Sequence, residues 1–175
     1  MGLTFRTAGP DDIADLADLV QSAYRGDESR QGWTTEADLL DGQRTDAADL
    51  ADTVGGAGRQ MLVAEREGVL VGCCRLERRP GATAHLGMLS VRPGLQDGGI
   101  GRAIVAEAER VASCEWAGVR MRMTVIRQRT ELIAWYERLG YRRTGATEPF
   151  PYGDDRWGVP KVGDLEFVVL EKALA

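Results

Sequence analysis

The sequence has few cysteine, histidine and aromatic residues, and these shortages exclude several classes of protein. Its three cysteines, Cys73, Cys74 and Cys114, are odd in number and form neither a disulfide framework nor a Cys-x-x-Cys zinc pair. His85 is the only histidine, so a histidine-rich metal centre is excluded and we expect no metal. A Cys–His nucleophilic pair stays open, but we expect the cysteines to be small buried hydrophobic residues.

Long apolar runs are also missing. The longest stretch without a charged residue, residues 80–91, falls well short of the ~20 residues that a membrane span requires. No basic segment followed by an apolar run opens the chain, so we expect a soluble, cytoplasmic protein without a membrane partner. The 175 residues, 43% of them hydrophobic, suffice for one domain over residues 1–175 with its own core.

Basic charge is in deficit, since the net charge is −5. Residues 1–58 carry 12 acidic and 4 basic residues, whereas the remainder carries 15 and 18. A duplex-binding domain normally has a clear basic excess, so we expect no nucleic-acid partner. The uneven distribution leaves open an anionic ligand on the later part, a cationic ligand near the first part, and a merely solvated acidic helical face.

Hydrophobic periodicity predicts one domain of alternating strands and helices. Residues 119–125 alternate strictly, which is typical of a strand with one buried face, and residues 165–170 are apolar on both faces, which predicts a central strand. Residues 148–161 form a long loop rich in proline and aromatic residues. The other predicted strands are 3–7, 61–66, 69–77 and 84–91, and the predicted helices are 10–26, 34–40, 45–54, 100–111 and 130–139, with threonine caps on the second and third.

A glycine-rich turn within residues 86–101 leads from a predicted strand into a predicted helix. Backbone N–H groups converge in such a turn, and the helix dipole adds positive potential, so the segment predicts an anion site. Ile100 stands where a Walker loop requires lysine, and the dinucleotide fingerprint is absent. Gln96, Gly99 and Gly101 instead match a third pattern, Gln/Arg-x-x-Gly-x-Gly/Ala, with a plain glycine-rich connector as the alternative.

This turn and a second segment together resemble the two signatures of the GNAT superfamily of acetyl-CoA-dependent N-acyltransferases. In the second segment, Tyr136 lies three residues before Leu-Gly-Tyr on a predicted helix. The resemblance covers about residues 60–170. It implies an α/β fold of the α+β type, with one GNAT-like domain whose central, mixed and mostly antiparallel sheet is flanked by helices. Arg129 departs from the pattern, since many members have asparagine there.

The resemblance implies that the glycine-rich turn holds the pyrophosphate of acetyl-CoA, the expected cofactor. Backbone groups of Leu89 and Val91 would pair with its pantetheine arm, and Arg129 would contact that arm or a phosphate. The expected cofactor-binding residues are Leu89, Ser90, Val91, Gln96, Asp97, Gly98, Gly99, Ile100, Gly101, Arg102 and Arg129.

Two residues are expected to handle protons. The resemblance implies that Tyr136 protonates the departing thiolate, and the alternative is a core aromatic residue. His85 falls where several members place an acidic base, and the pKa of histidine suits a base near neutral pH. A structural histidine is the alternative, with Glu77 and Glu148 as reserve bases.

In this superfamily the first helices and the loop before the last strand line the acceptor site. Here both segments are rich in aromatic and acidic residues, which suits an ammonium-bearing acceptor, although a structural flap is the alternative. The Pro-Phe-Pro-Tyr-Gly stretch at residues 149–153 resembles that of bacterial members. The expected substrate-binding residues are Tyr24, Arg25, Glu28, Trp33, Glu36, Glu148, Phe150, Tyr152 and Trp157.

We therefore expect an enzyme that transfers acetyl from acetyl-CoA to the primary amine of a small molecule or amino acid in a ternary complex. One alternative is transfer to a protein or peptide amine, and another is a non-catalytic acyl-CoA-binding regulatory domain. The sequence identifies neither the acceptor nor the oligomeric state, and a homodimer stays open.

Overall fold

The structure, a computed structural model, describes residues 2–175 and has nine strands and five helices in that range. The strands are β1 (Thr4–Thr7), β2 (Leu40–Asp41), β3 (Arg59–Arg66), β4 (Val69–Arg79), β5 (Thr83–Val91), β6 (Arg120–Ile126), β7 (Arg142–Pro149), β8 (Val159–Pro160) and β9 (Glu166–Ala173). The helices are α1 (Ile13–Tyr24), α2 (Gly26–Ser29), α3 (Ala47–Gly55), α4 (Ile100–Arg110) and α5 (Thr130–Arg138).

Seven strands form one sheet in the order β1-β3-β4-β5-β6-β9-β7, and β2 pairs with β8 in a separate small sheet. All neighbours in the large sheet are antiparallel except β5 and β6, which run parallel. The predicted mixed, mostly antiparallel sheet flanked by helices is thus confirmed. The strand β9 was predicted to be central, but it lies next to the edge strand, between β6 and β7. Among the described residues, no helix is both long and apolar enough to cross a bilayer.

Helices cover both faces of the large sheet. On one face α1 and α3 bury side chains such as Leu16 and Leu50, and on the other α4 buries Ile104. Gly72 in β4 permits the close approach of α4, because a Cβ at that position would lie 2.6 Å from Ile104 Cδ1. Burial of these apolar faces drives the sheet and helices together.

The strands β5 and β6 separate soon after they meet. Their pairing covers only residues 83–85 of β5 and 120–122 of β6. Further along β5, the pairing with β4 is irregular between Cys73 and Arg75, and Met88 opposite this point has a φ of 54°. Such a β-bulge redirects a strand and is common beside active sites. The result is a gap in the sheet beyond His85.

Several predictions of local structure were wrong. Residues 34–40 are not helical but run as turns into β2, and α3 is capped by Asp46, which accepts a hydrogen bond from the Asp49 N–H at 2.8 Å, rather than by Thr45. Cys114 is exposed, unlike Cys73 and Cys74, and Val119 lies just outside β6 and is 56% exposed.

The strand β7 was missed altogether. All eight of its side chains are exposed, so the segment lacks the alternation of apolar and polar residues that marks a half-buried strand. It lies at the edge of the sheet, where pairing with β9 rather than burial defines it. The predicted loop at residues 148–161 therefore begins with the end of a strand and contains β8.

Candidate active site

Two segments cover the gap between β5 and β6. We call residues 25–45, which follow α1, the cap segment, and residues 150–165, which precede β9, the flap loop. The pairing of β2 with β8 joins them, and Leu40, Phe150 and Leu165 pack with Ile126 in a small apolar cluster beneath. The cap segment and the flap loop thus form one cover over this side of the sheet.

Two cavities lie beneath and beside this cover. The first, of about 310 Å³, lies between the cover and the diverging strands, and we call it the cap cavity. The second, of about 350 Å³, is bounded by the glycine-rich turn and α5, and we call it the turn cavity. Both volumes fall in the range of small-molecule sites. The residues that line both cavities are Tyr24, Leu89, Arg129, Leu132 and Tyr136.

The turn cavity has the features of an anion site. Gly99 precedes α4 with a φ of 75°, a left-handed conformation that favours glycine, and the N–H groups of the first turn of α4 have no intrahelical partner. Gln96 fixes the turn, because its side chain accepts a hydrogen bond from the Trp33 N–H at 3.1 Å and donates one to the Val91 carbonyl at 3.3 Å.

Two cations complete the turn cavity. Arg102 and Arg138 both line it, both are exposed, and neither forms an ion pair with a carboxylate in the part of the chain that the structure describes. Arg138 was not among the predicted residues, although it follows Trp135, another lining residue, at helical spacing. Free guanidinium groups beside a helix N-terminus fit the phosphates of a coenzyme.

The predicted cofactor-binding residues divide into two groups. Ile100 is fully buried in the core, the Ser90 hydroxyl donates to the Met88 carbonyl at 3.1 Å, and Gly98 lies in the turn without lining the cavity, so at most the backbones of these residues could face a ligand. The remaining predicted residues line the turn cavity: Leu89, Val91, Gln96, Asp97, Gly99, Gly101, Arg102 and Arg129.

Tyr136 occupies the junction of the two cavities. Its side chain is 5% exposed, and its ring packs edge-on against Trp135 and Tyr141. The hydroxyl has no hydrogen-bond partner among residues 2–175. Burial raises the pKa of this phenol well above its ordinary value, so that it remains protonated at neutral pH. Tyr136 is therefore placed and protonated as a proton donor would be.

His85 lies in the wall of the cap cavity, opposite Glu77 on β4 and Arg122 on β6. Within the described residues its ring forms no side-chain hydrogen bond. Burial lowers the pKa of His85, Arg79 and Arg122 act in the same direction, and the carboxylates of Glu77 and Glu148 oppose them. The imidazole is thus neutral near pH 7 and able to accept a proton.

Glu36 connects the cap segment to α5 through two buried arginines. One of its oxygens pairs with Arg25, and the other accepts a hydrogen bond from Arg129 Nη1 at 2.9 Å. Arg129 Nη2 donates to the Thr34 hydroxyl at 2.8 Å. Burial alone would raise the pKa of Glu36, but Arg129 and Arg25 outweigh it and lower that pKa. Arg129, which stands where many proteins of the resembled superfamily have asparagine, is therefore already engaged by the protein.

The predicted substrate-binding residues also fall into groups. Trp33 lines the turn cavity, where its ring lies 6.1 Å from that of Trp135. Glu28 is exposed on α2, and Tyr152 holds the flap loop by bonding the Val162 carbonyl and the Leu165 N–H, each at 2.8 Å. The others line the cap cavity: Tyr24, Arg25, Glu36, Glu148, Phe150 and Trp157.

Three arginines of the cap cavity were not predicted. Arg44 belongs to the cap segment, and Arg75 and Arg79 belong to β4. Alternation along β4 places residues 75, 77 and 79 on one face, and Glu77 was already a reserve base, so the sequence held a signal for the latter two. Arg44 had no such signal, because it lies in the connection between the predicted helices 34–40 and 45–54.

Cys73 and Cys74 do not form a nucleophilic site. Burial raises the pKa of Cys73 to about 12 and also raises that of Cys74, so neither thiol ionises near pH 7. Neither residue lines either cavity. Across residues 2–175, no group of histidine, cysteine and acidic side chains could hold a metal ion.

Comparisons with known proteins identify the family of the chain. Residues 57–143 match the family model for the acetyltransferase (GNAT) domain. Among curated proteins, none matches the sequence significantly. The chain belongs to the GNAT superfamily and is an acyltransferase.

Solved structures share the fold at low sequence identity. The ribosomal-protein-S18-alanine N-acetyltransferase from Escherichia coli has a TM-score of 0.74 and 14% identity, covering 99% of this chain and 95% of its own. The ribosomal-protein-alanine N-acetyltransferase from Brucella melitensis has a TM-score of 0.72 and 22% identity, covering 98% and 99%. The IAA acetyltransferase from Bacillus cereus has a TM-score of 0.69 and 16% identity, covering 99% and 100%.

Proposed function

We propose that this chain transfers acetyl from acetyl-CoA directly to the primary amine of a small molecule or amino acid, with both substrates bound at once. The observation that carries the proposal is the junction of the two cavities at Tyr136. One cavity has the glycine-rich turn and free cations that suit a coenzyme, and the other has a neutral histidine and carboxylates. Holding two reactants in contact lowers the barrier to their reaction by several kcal/mol.

The turn cavity would hold the coenzyme. Acetyl-CoA, when bound, supplies an acetyl group activated as a thioester. The N–H groups at the start of α4, together with Arg102 and Arg138, would bind its phosphates, and Gly101 leaves space beside Trp135, since a Cβ at residue 101 would lie 3.5 Å from the indole. Because β5 leaves β6 beyond His85, this edge of β5 has no strand partner and could pair with the pantetheine amides, beside the hydrogen bond that the Leu89 carbonyl accepts from the Tyr24 hydroxyl at 2.9 Å.

Two residues of this chain would handle the protons. His85 would accept the proton that the acceptor amine loses, directly or through one water, as the amine nitrogen bonds to the acetyl carbon. Tyr136 would give its hydroxyl proton to the sulfur as the carbon–sulfur bond breaks. The neutral imidazole and the protonated phenol are the states that their buried surroundings favour.

The cover over the cap cavity supports a small acceptor over a protein. A polypeptide acceptor needs an open groove, but here the pairing of Leu40 and Asp41 with Val159 and Pro160 joins the two segments above the site. The cavity volume of about 310 Å³ suits a metabolite of amino-acid size.

Release of free thiol from acetyl-CoA tests the proposal. We expect release that depends on a small primary amine and is greater with amino acids and simple amines than with peptides that end in alanine or contain lysine. The matched control is Gly101→Asp, which adds a carboxylate in the turn cavity and should abolish release. Preference for the peptides would favour the protein-directed alternative, and coenzyme binding without release on any amine would favour a non-catalytic domain.

A further inference from the structure

The cap cavity holds more arginine than its carboxylates can neutralise. Of the lining arginines, Arg75 pairs with Asp49 at 2.7 Å, Arg79 pairs with Glu77, and Arg25 and Arg129 share Glu36. Glu148 is neutralised by Arg122 at 2.9 Å. Each of these charges is thus matched inside the protein, except that one carboxylate, Glu36, serves two guanidinium groups.

Arg44 is the lining arginine without a partner. Among the described residues, no carboxylate lies within ion-pair distance of its guanidinium, and its side chain donates no hydrogen bond. Its Nη1 atom is nevertheless shielded from solvent, and its guanidinium lies 5.2 Å from the centre of the Tyr24 ring. A shielded donor without a partner costs free energy, and this cost is recovered when a ligand supplies the acceptor.

The unmatched charge is concentrated in one part of the cavity. The charge of Arg44 acts on the pKa values of Arg25, Glu36 and Asp49. The guanidinium of Arg129 lies 5.7 Å from the centre of the Tyr24 ring, which Arg44 also faces. The three guanidinium groups of Arg25, Arg44 and Arg129 thus share Glu36, while the nearby Asp49 is already paired with Arg75. The charges that act on His85 are a different set: Glu77, Arg79, Arg122 and Glu148.

The separation between the arginine-rich part of the cavity and the part around His85 fits an acceptor with two different ends. An amine that approaches His85 would leave its other end for the arginine-rich part of the cavity. Arg44 does not line the turn cavity, so the coenzyme phosphates are not its expected partner. Excess positive charge also repels a polyamine, whose far end is a second ammonium group.

We infer that the acceptor is an amine that also carries a carboxylate or a similar oxyanion, and that Arg44 binds this anion. The inference rests on the proposed function, since it describes the acceptor of that reaction. It adds an anionic group to the ammonium-bearing acceptor that the acidic residues around the site suggest. An amino acid has the required chemistry, and an aminoalkylphosphonate shares it.

The test compares acceptors that differ only in the anion. The panel consists of the common amino acids, their carboxamides, aminoalkylphosphonates and linear polyamines, each assayed for thiol release from acetyl-CoA. We expect release with amino acids or phosphonates and at least tenfold lower kcat/KM with the matching carboxamides. Arg44→Gln should raise the KM for the anionic acceptor roughly 10- to 100-fold, the scale of a hydrogen bond to a charged group, and leave the KM for acetyl-CoA unchanged.

Two further variants make the result specific. Arg44→Lys keeps the charge without the forked geometry and should recover part of the affinity. Arg110→Gln is the matched control, because Arg110 is exposed on α4 and pairs with Glu107 far from either cavity, and it should leave every KM unchanged. Calorimetric titration of each variant with N-acetylamino acids, the expected products, reports binding without turnover.

The outcomes separate this inference from the proposed function. Thiol release that is equal or faster with carboxamides or polyamines, or an equal effect of Arg44→Gln on charged and uncharged acceptors, would overturn the inference and leave acetyl transfer intact. If no amine releases thiol, the proposed function fails. The titration then decides alone: binding of N-acetylamino acids that Arg44→Gln weakens supports the anion site, and binding that it leaves unchanged contradicts it.

Discussion

Replacing Glu36 with glutamine should destabilise the protein more than any surface change of the same kind. Glu36 is 6% exposed and is the carboxylate shared by Arg25 and Arg129, which are equally buried. Glutamine keeps the shape but leaves two buried guanidinium groups without a counter-charge. Removing one partner of a buried ion pair costs about 3–5 kcal/mol, and in a domain of this size each kcal/mol lowers the Tm by about 2–4 °C. We expect the Tm of Glu36→Gln to fall by roughly 6–20 °C at pH 7.

The pH dependence of this loss identifies the cause. Arg129 and Arg25 lower the folded-state pKa of Glu36 below the unfolded value of about 4.3. The charged carboxylate therefore contributes its full stability above the unfolded pKa, and this contribution is lost as the pH falls through the folded pKa. The difference in Tm between the wild type and Glu36→Gln should be constant near neutral pH and narrow in acid.

Thermal unfolding followed by circular dichroism from pH 7 to about pH 3 measures both effects. Glu107→Gln is the matched control, because Glu107 pairs with the exposed Arg110 and surface pairs contribute only about 0–1 kcal/mol. The reasoning is refuted if Glu36→Gln is as stable as Glu107→Gln at pH 7. It is also refuted if the difference persists unchanged at the lowest pH at which both proteins fold.

Three further predictions concern activity and coenzyme binding. Tyr136→Phe removes the unpartnered hydroxyl and should lower kcat by about 10²-fold with little change in acetyl-CoA affinity. Normal turnover by this variant would make Tyr136 a core aromatic residue only. The kcat/KM of the wild type should fall in acid with a midpoint below the ordinary histidine pKa of about 6.5, because burial and Arg79 lower the pKa of His85 and the neutral ring is the active form. His85→Ala should be slower and lose this acidic limb, and a limb that stays would indicate Glu77 or Glu148 as the base. Gly101→Asp should abolish acetyl-CoA binding measured by calorimetry. The control Gly101→Ala should fold normally, because its Cβ would contact Trp135 at an ordinary 3.5 Å. Unchanged acetyl-CoA affinity in Gly101→Asp would contradict the placement of the coenzyme.

The elements that could be predicted are those whose signal is local in the sequence. The glycine-rich turn before α4 and the position of Tyr136 on α5 each depend on residues within one short segment. The apolar residues of β9 predicted a strand covered on both faces, and β9 does have a strand neighbour on each side, although it lies one position from the edge. Where the residues of one short segment determine the local structure, their spacing is sufficient to predict it.

What was missed depends on contacts between distant segments. The strand β7 exists because its backbone pairs with β9, and its exposed side chains record none of this pairing. Residues 34–40 of the cap segment have the spacing of a short helix, but Glu36 within them turns inward to Arg129, more than ninety residues along the chain. Trp33, in the same segment, lines the turn cavity and not the cap cavity. Long-range ion pairs of this kind have no periodic signature.

Initial rates of thiol release, measured with acetyl-CoA and an accepted amine both varied, test the central claim most directly. If both substrates meet at Tyr136 in one complex, double-reciprocal plots should intersect, no thiol should be released without the amine, and Tyr136→Phe should lower kcat in the same pattern. Parallel plots, or thiol released from acetyl-CoA alone with an acetylated protein as its product, would contradict direct transfer.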